Sequence, residues 1–403
     1  MVTSYGHLTY CTNIHGGESW ADHFDLLRTH FPVIKKAVCP KGPMGIGLRL
    51  ADLASKVLAD DGQLAEFRDW LSQEDAYVFT MNGFPFGAFH NRVVKAHVHA
   101  PDWTTDERLQ YTNRLFDILS VLIPDGMEGG ISTSPLAYRH WYNDTGHTWR
   151  AMREHATRQV VEVAAHLLRI RLEVGKTLHL DIEPEPDGVL ESGPEFITWY
   201  NEELIPMGVA TLSDGFGIGR DEAEQALKRH IRLCYDVCHF ALGYEHHRGV
   251  IDELDMHGIQ IGKFQISAAI RAAMPADTAM RQAIGDAFMA FDEPTYLHQV
   301  IAQQRDGRLV RFRDLQDAYP ALFDEETVEW RSHFHVPIFS SELGRLTSTQ
   351  SDILDVLAIQ REKRRTAHLE VETYTWGVLP GHLQLPVAKS ISRELMWVLD
   401  QLP

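Results

Sequence analysis

Four short stretches of this chain carry residues suited to metal chemistry. They are His179-Leu-Asp181-Ile-Glu183-Pro184-Glu185-Pro186, Asp236-Val-Cys-His239, His333-Phe-His335 and Glu370-Val-Glu372. Each is an apolar, strand-like run with a carboxylate or imidazole at or near its C-terminal end. Gathered in one place, such ends supply the mixed oxygen and nitrogen donors of a divalent-metal site at the mouth of a parallel barrel. Any one of these residues alone is more often structural, so the case rests on their shared position relative to strands.

Strand alternation sets His179, Asp181 and Glu183 on one face and Leu178, Leu180 and Ile182 on the other. The apolar set can pack on outer helices while the polar set faces the barrel axis, where carboxylates need a partner. Glu183 precedes a proline that stops the strand, the position at which barrel enzymes place catalytic groups. Capping a helix or pairing with an arginine is its plainer alternative. Asp236 leaves a strand tip and His239 turns back from the loop, so both can reach one metal or two neighbouring ones. A core histidine bonded to a carbonyl is the alternative for His239. His333 and His335 share one side and Phe334 takes the other, which suits nitrogen ligation. Glu372 lies nearer its strand end than Glu370 and is the expected ligand, with Glu370 deeper and paired; a salt-bridged strand is the alternative for both.

The elements that must position these residues alternate between strand-like and helix-like, as βα units do around a parallel sheet. Strands are expected at 7–14, 45–50, 76–83, 129–134, 176–182, 231–238, 259–267 and 368–373. Helical spacing covers 19–37, a stretch through Phe67 and Leu71, 107–123, 149–175 and 387–402. Eight strands in this order predict a single (β/α)8 barrel over residues 1–403. A doubly wound open sheet is the runner-up, but no Gly-rich phosphate loop follows the first strand. Residues 271–345 are too many for a simple connection and are expected to form an insertion, a lid that delivers His333 and His335 to the barrel mouth. Its arginines, 305, 308, 311 and 313, would attract a phosphate or carboxylate, or else form a solvated charged face.

Composition narrows the partners. Of 403 residues, 44% are hydrophobic and 23% charged, as in ordinary globular proteins. A net charge of −18 disfavours nucleic acid, which needs a basic footprint. The four cysteines, 11, 39, 234 and 238, form no CxxC pair, so a reducing cytoplasm is expected. The opening residues lack a signal-peptide pattern, and no run approaches 18 apolar residues, so no membrane insertion is expected. The oligomeric state is open.

The order of Glu at strand five, Asp-x-x-His at strand six, His-x-His before strand eight and Glu on strand eight resembles the xylose-isomerase-like barrel superfamily. That group includes sugar isomerases and epimerases and the endonuclease IV type of nuclease. Over nearly the whole chain the sequence is similar to the EboE family of metabolite traffic proteins. The carrying motifs are Tyr10-Cys-Thr-Asn-Ile-His-Gly-Gly-Glu-Ser-Trp20, Asn82-Gly-Phe-Pro-Phe-Gly87, Lys95 to Pro101-Asp-Trp103, Leu180-Asp-Ile-Glu-Pro-Glu-Pro186, HFHVPIF and Glu370-Val-Glu-Thr-Tyr-Thr-Trp376. The resemblance implies a sugar-phosphate isomerase/epimerase-like barrel working in processing or traffic of secondary metabolites. It implies Glu183, Asp236 and Glu372 as metal carboxylates, His239 as a second-metal or substrate ligand, and His333 and His335 in the place of the nuclease D-x-H pair. One departure stands out. Gln265 occupies the strand-seven position where relatives place a metal histidine; either His335 fills the vacancy, as is expected, or the site is weaker and the ancestral activity is altered or lost.

The expected cofactor is a divalent ion, Mn, Zn or Co, held by Glu183, Asp236, His239, His335 and Glu372. Glu183 and Glu372 would act as base and acid on opposite faces of a small polar metabolite, isomerising or epimerising it. Lys263 would stabilise a developing oxyanion, or else neutralise Glu183 or Asp236. Asn82, His90, Trp103, Gln265 and His333 are expected substrate contacts, with Phe84, Phe86 and Trp103 alternatively a plain hydrophobic lid. Two other classes remain open: a non-catalytic metabolite-binding barrel and, less favoured, a metal-dependent endonuclease.

Overall fold

In the computed structural model of the protein, the apolar runs become eight parallel strands separated by helices. The structure describes residues 1–402 apart from 89, 91–92, 143–145, 380 and 382–383. The barrel strands are β1 (Gly6–Tyr10), β2 (Met44–Arg49), β3 (Ala76–Asn82), β4 (Gly129–Thr133), β5 (Leu178–Ile182), β6 (Ile231–Asp236), β7 (Ile261–Ile266) and β14 (His368–Val371). They pair in the order β1-β14-β7-β6-β5-β4-β3-β2. A two-residue strand, Val2–Thr3, folds back antiparallel on β1. The expected barrel is therefore present, each strand within a few residues of its expected bounds.

The ring closes between β1 and β2 through a single parallel bridge, Cys11 to Gly47. Hydroxyls replace the missing ladder. Thr9 Oγ1 donates to Gly45 O at 2.8 Å and accepts from Gly47 N at 3.1 Å, and Thr12 Oγ1 accepts from Arg49 N at 2.8 Å. Backbone groups that would be orphaned at an open seam thus find side-chain partners.

The alternation on β5 holds. Leu178, Leu180 and Ile182 join the hydrophobic core, while His179, Asp181 and Glu183 are buried polar groups. Two glycines make room for carboxylates inside the ring. A Cβ on Gly47 would overlap Glu370 Oε1, and one on Gly262 would overlap the Asp181 carboxylate.

Two segments depart from the sequence expectation. β6 ends at Asp236, and Val237–Leu242 is helical instead of strand. Asp236 caps that helix by accepting from His239 N at 3.2 Å, and this cap outcompetes the β preference of Val237. Between β5 and β6, helices occupy most of the span from Gly193 to His230, an excursion that the sequence pattern did not signal.

Residues between β7 and the helix Gln350–Glu362 build a second, antiparallel sheet. Its strands are β8 (Ile270–Ala273), β9 (Val300–Gln304), β10 (Leu309–Phe312), β11 (Thr327–Ser332), β12 (Glu342–Leu343) and β13 (Leu346–Ser348), in the order β10-β9-β11-β8-β13-β12. It spans the stretch expected as an insertion, with edges a few residues wider. β9 pairs with β11 so that Val300 faces Ser332, and His333 N donates one step further to Gln299 O at 2.8 Å. Val336 N then donates to Ala268 O at 3.0 Å, just past the end of β7. The His-Phe-His segment is thereby fixed at both ends over the barrel mouth. No helix among the described residues is long and apolar enough to cross a membrane.

Candidate metal centre and cavity

Glu183, Asp236 and Glu372 come from the ends of three strands and offer carboxylate oxygens within 4.8 Å of one another. All three are buried. Gln265 on β7 lies between them: its Nε2 donates to Glu183 Oε1 at 3.0 Å and Asp236 Oδ2 at 3.1 Å, and also contacts Glu372 Oε2. An amide nitrogen carries two hydrogens, so it cannot fully serve three acids. Gln265 Oε1 meanwhile accepts from the Cys234 thiol at 3.1 Å.

The carboxylates are individually braced. Glu372 Oε1 accepts from Asn13 Nδ2 at 2.7 Å and Asn82 Nδ2 at 2.9 Å. Asp236 Oδ1 accepts from Ser267 Oγ at 2.6 Å as well as from His239 N. Burial, with Glu372 and Asp236 nearby, pushes Glu183 well above the usual carboxylate range. Burial and the charges of Asp236 and Glu370 raise Glu372 to about 8. Burial also disfavours charge on Asp236, but His239, His335 and the Ser267 hydroxyl outweigh it and hold this carboxyl low.

Above the acids stand three histidines. His239 Nδ1 lies 3.0 Å from Pro184 O, His333 Nδ1 2.8 Å from Gln299 Oε1, and His335 Nδ1 3.0 Å from Glu372 O. An oxygen at Nδ1 favours the tautomer whose Nε2 carries the free lone pair. Nε2 of both His333 and His335 is buried without a hydrogen-bond partner. Burial holds both rings below the ordinary histidine range, His335 at about 4, so they stand neutral at pH 7. Donor atoms cluster within 4.8 Å in Asp236–His239–His335, Glu185–His239–His333 and Cys238–His333–His335. Unpartnered imidazole nitrogens beside converging carboxylates fit a divalent ion.

These groups line a cavity that also touches Asn13, Phe84, Lys95, His99, Gln299 and Tyr374.

The sequence matches no known family profile and no curated protein. Solved structures do match. A xylose isomerase-like TIM barrel protein from Mycobacterium smegmatis, in complex with magnesium, aligns with a TM-score of 0.51 at 11% identity, over 100% of this chain and 98% of that one. This chain has the xylose isomerase-like TIM-barrel fold. A xylose isomerase domain-containing protein from Salmonella typhimurium LT2 aligns at 13% identity and TM-score 0.47, over 100% and 99% of the two chains. The IolI protein with a bound zinc atom aligns at 14% and 0.46, over 98% of each.

The barrel thus brings Glu183, Asp236, His239, Gln265, His333, His335 and Glu372 together, and sets Asn82 at the cavity with its amide on Glu372. Other expectations need correction. Lys263 reaches neither the cavity nor Glu183 or Asp236. Its Nζ lies 2.5 Å from Glu370 Oε2 and 3.0 Å from Ser132 Oγ, a layer deeper, because β7 parity points it inward but its position is two residues below Gln265. Trp103 is completely buried in the hydrophobic core instead of contacting a ligand. His90 stands behind the cavity wall, with Nε2 2.5 Å from Asn13 O and Nδ1 2.8 Å from Tyr296 OH. The four arginines do not line the cavity. Arg305 and Arg308 are exposed beside Glu326 and Asp306, Arg311 donates to Glu191 Oε1 at 2.7 Å, and Arg313 lies 3.0 Å from His140 Nδ1. The charged-face alternative is the one that holds.

Three contributors escape the sequence reading. Asn13 follows β1, Gln299 precedes β9, and His99 Nε2 sits 2.9 Å from Glu185 Oε1. Glu185 is visible in the Glu-Pro-Glu-Pro run and carries the same strand-end signal as Glu183.

Proposed function

We propose that this protein is a metal-dependent isomerase or epimerase acting on a small polar hydroxy-carbonyl metabolite. The observation that carries the reading is the convergence of three buried carboxylates with two buried, unpartnered histidine Nε2 atoms at the mouth of the barrel. Glu183, Asp236, Glu372 and His335 would hold the ion, with His239 alongside. When bound, it would polarise adjacent hydroxyl and carbonyl oxygens and acidify the carbon-bound proton between them.

The chain's own groups supply the rest. Glu183 and Glu372 both have raised proton affinity, which suits each to take up and return a proton. Asn13 and Asn82 hold the Glu372 carboxyl in one orientation while it does so. The second sheet encloses the cavity as a lid through His333 and Gln299, keeping bulk water from the reacting carbon. Return of the proton to the neighbouring carbon, with the hydroxyl proton passing to the former carbonyl oxygen, isomerises; return to the same carbon from the opposite face epimerises.

The motif resemblance to EboE proteins supports a role for this activity in secondary-metabolite processing or traffic in the cytoplasm. A second reading, a metabolite-binding barrel without turnover, draws on Gln265, whose amide stands where a histidine ligand would favour catalysis.

Elemental analysis decides the metal. The expected result is at least one divalent ion per chain after reconstitution, lost in Glu183→Gln and in Glu372→Gln. Wild-type protein that holds no metal sinks the proposal. Solvent-deuterium exchange into hydroxy-ketones separates catalysis from binding.

A further inference from the structure

The cavity has a sharply uneven inventory of acidic and basic side chains. Glu183, Glu185 and Glu372 line it. Among the described lining residues, Lys95 is the one lysine or arginine, and it is already engaged: Nζ lies 2.7 Å from Asp314 Oδ2 and 3.4 Å from Glu293 O. A phosphate dianion placed here would meet acidic side chains, with no guanidinium among the described lining residues to receive it.

The lining also carries apolar surface, from Phe84, Pro85, Val94, Val98, Leu297 and the Tyr296 ring. It is a built surface. Buried Arg108 donates to Pro101 O at 2.8 Å, Gly83 O at 2.7 Å and Phe84 O at 3.1 Å, and buried Arg49 donates to Pro85 O at 3.4 Å and to Gly87 O. Two guanidinium groups thus hold the loop that presents Phe84 and Pro85. The cavity lining therefore combines carboxylates, amides and imidazoles with a set of hydrocarbon side chains.

Resting on the hydroxy-carbonyl reading above, we infer that the ligand is an uncharged hydroxy-carbonyl compound bearing an aryl or alkyl group, and not a sugar phosphate. Burying such a group against these hydrocarbon side chains is favourable in proportion to its apolar area, whereas a phosphate in its place finds acids and a lysine that Asp314 has neutralised.

Three matched probes test this: dihydroxyacetone, dihydroxyacetone phosphate and 2-hydroxyacetophenone, which share the hydroxy-ketone head. Ligand-observed NMR titrations use the full chain reconstituted with Mn²⁺ or, to avoid paramagnetic broadening, Zn²⁺. The expected order has 2-hydroxyacetophenone binding at least ten-fold tighter than dihydroxyacetone, and the phosphate weaker than dihydroxyacetone. Asp314→Asn keeps the Oδ1 that accepts from Leu315 N and His298 N but releases Lys95. It is expected to strengthen phosphate binding three-fold or more and to leave 2-hydroxyacetophenone within two-fold. A wild-type protein that binds the phosphate more tightly than dihydroxyacetone, or gains nothing from the phenyl group, overturns the inference. Metal content, measured on the same samples, keeps the two readings apart: a metal-free protein that retains the phenyl preference loses only the metal reading.

Discussion

Lys263 Nζ and Glu370 Oε2 lie 2.5 Å apart with both side chains fully buried, directly beneath the carboxylates that face the cavity. The lysine keeps its charge: burial opposes ionisation, but Glu370 more than compensates and raises its proton affinity. Removing one member of such a pair leaves the other charge buried and alone, which typically costs about 3–5 kcal/mol. Lys263→Met should therefore destabilise the fold by roughly that amount, read as a lowered urea midpoint at unchanged m-value. Lys263→Met/Glu370→Gln should recover most of the loss. Full stability in the single variant, with activity gone, would return Lys263 to a catalytic role.

Asn13 joins the end of the first strand to Glu372 beyond the last, on the side of the carboxylate away from Gln265. Partners that orient a metal ligand commonly contribute about 10–100-fold in metal affinity. Asn13→Ala should weaken metal binding by about ten-fold or more on that rule, measured by competition with a chelator, while the circular dichroism spectrum stays that of the wild type. Equal affinity in the two proteins would show that Asn82 alone positions Glu372.

The position of the site is legible in the sequence because strand alternation has a period of two and barrel chemistry collects at strand C-termini. Those two rules suffice for Glu183, Asp236 and Glu372. They do not report depth along the barrel axis, so Lys263, on the same face as Gln265, is expected nearer the mouth than it lies. Nor do they reveal contacts made across the ring. Asn13 is 359 positions from Glu372, and only closure of β1 against β14 brings them together. Trp103 departs for a different reason: an aromatic in a long loop reads as exposed, yet its backbone N donates to Leu136 O at 2.9 Å and its ring joins the core. The His-Phe-His pair is legible as a unit, whereas its support, the ladder from β9 to β11, lies in a sheet that the sequence signals only as an overlong connection.

DNA is expected not to bind. With a net charge of −18, and arginines 305, 308 and 311 beside carboxylates, few phosphates would be neutralised. Fluorescence anisotropy with a duplex containing an abasic site should show no micromolar binding at moderate salt, and no strand cleavage in the presence of Mn²⁺ or Zn²⁺. Salt-sensitive micromolar affinity would restore the nuclease reading.

Glu394, on the final helix Val387–Gln401, supplies a pH dependence outside the candidate metal centre. Its Oε1 accepts from Thr373 Oγ1 at 2.7 Å and from Ile338 N at 3.2 Å, tying the helix to the residues after β14 and to the His-Phe-His segment. Burial raises this carboxyl to about 8 from an ordinary 4.5, against the opposing pull of those hydrogen bonds. Between these two values the folded chain keeps the proton and the unfolded chain releases it. Stability from this group is therefore full below pH 4.5 and declines as pH rises towards 8. The loss is on the order of a few kcal/mol, since each tenfold gain in proton affinity on folding corresponds to about 1.4 kcal/mol. Glu394→Gln keeps an oxygen for both contacts and cannot ionise. Urea titrations at pH 5 and pH 8 should show a smaller fall in stability for this variant than for the wild type. Parallel pH profiles would mean that Glu394 stays ionised in the folded protein.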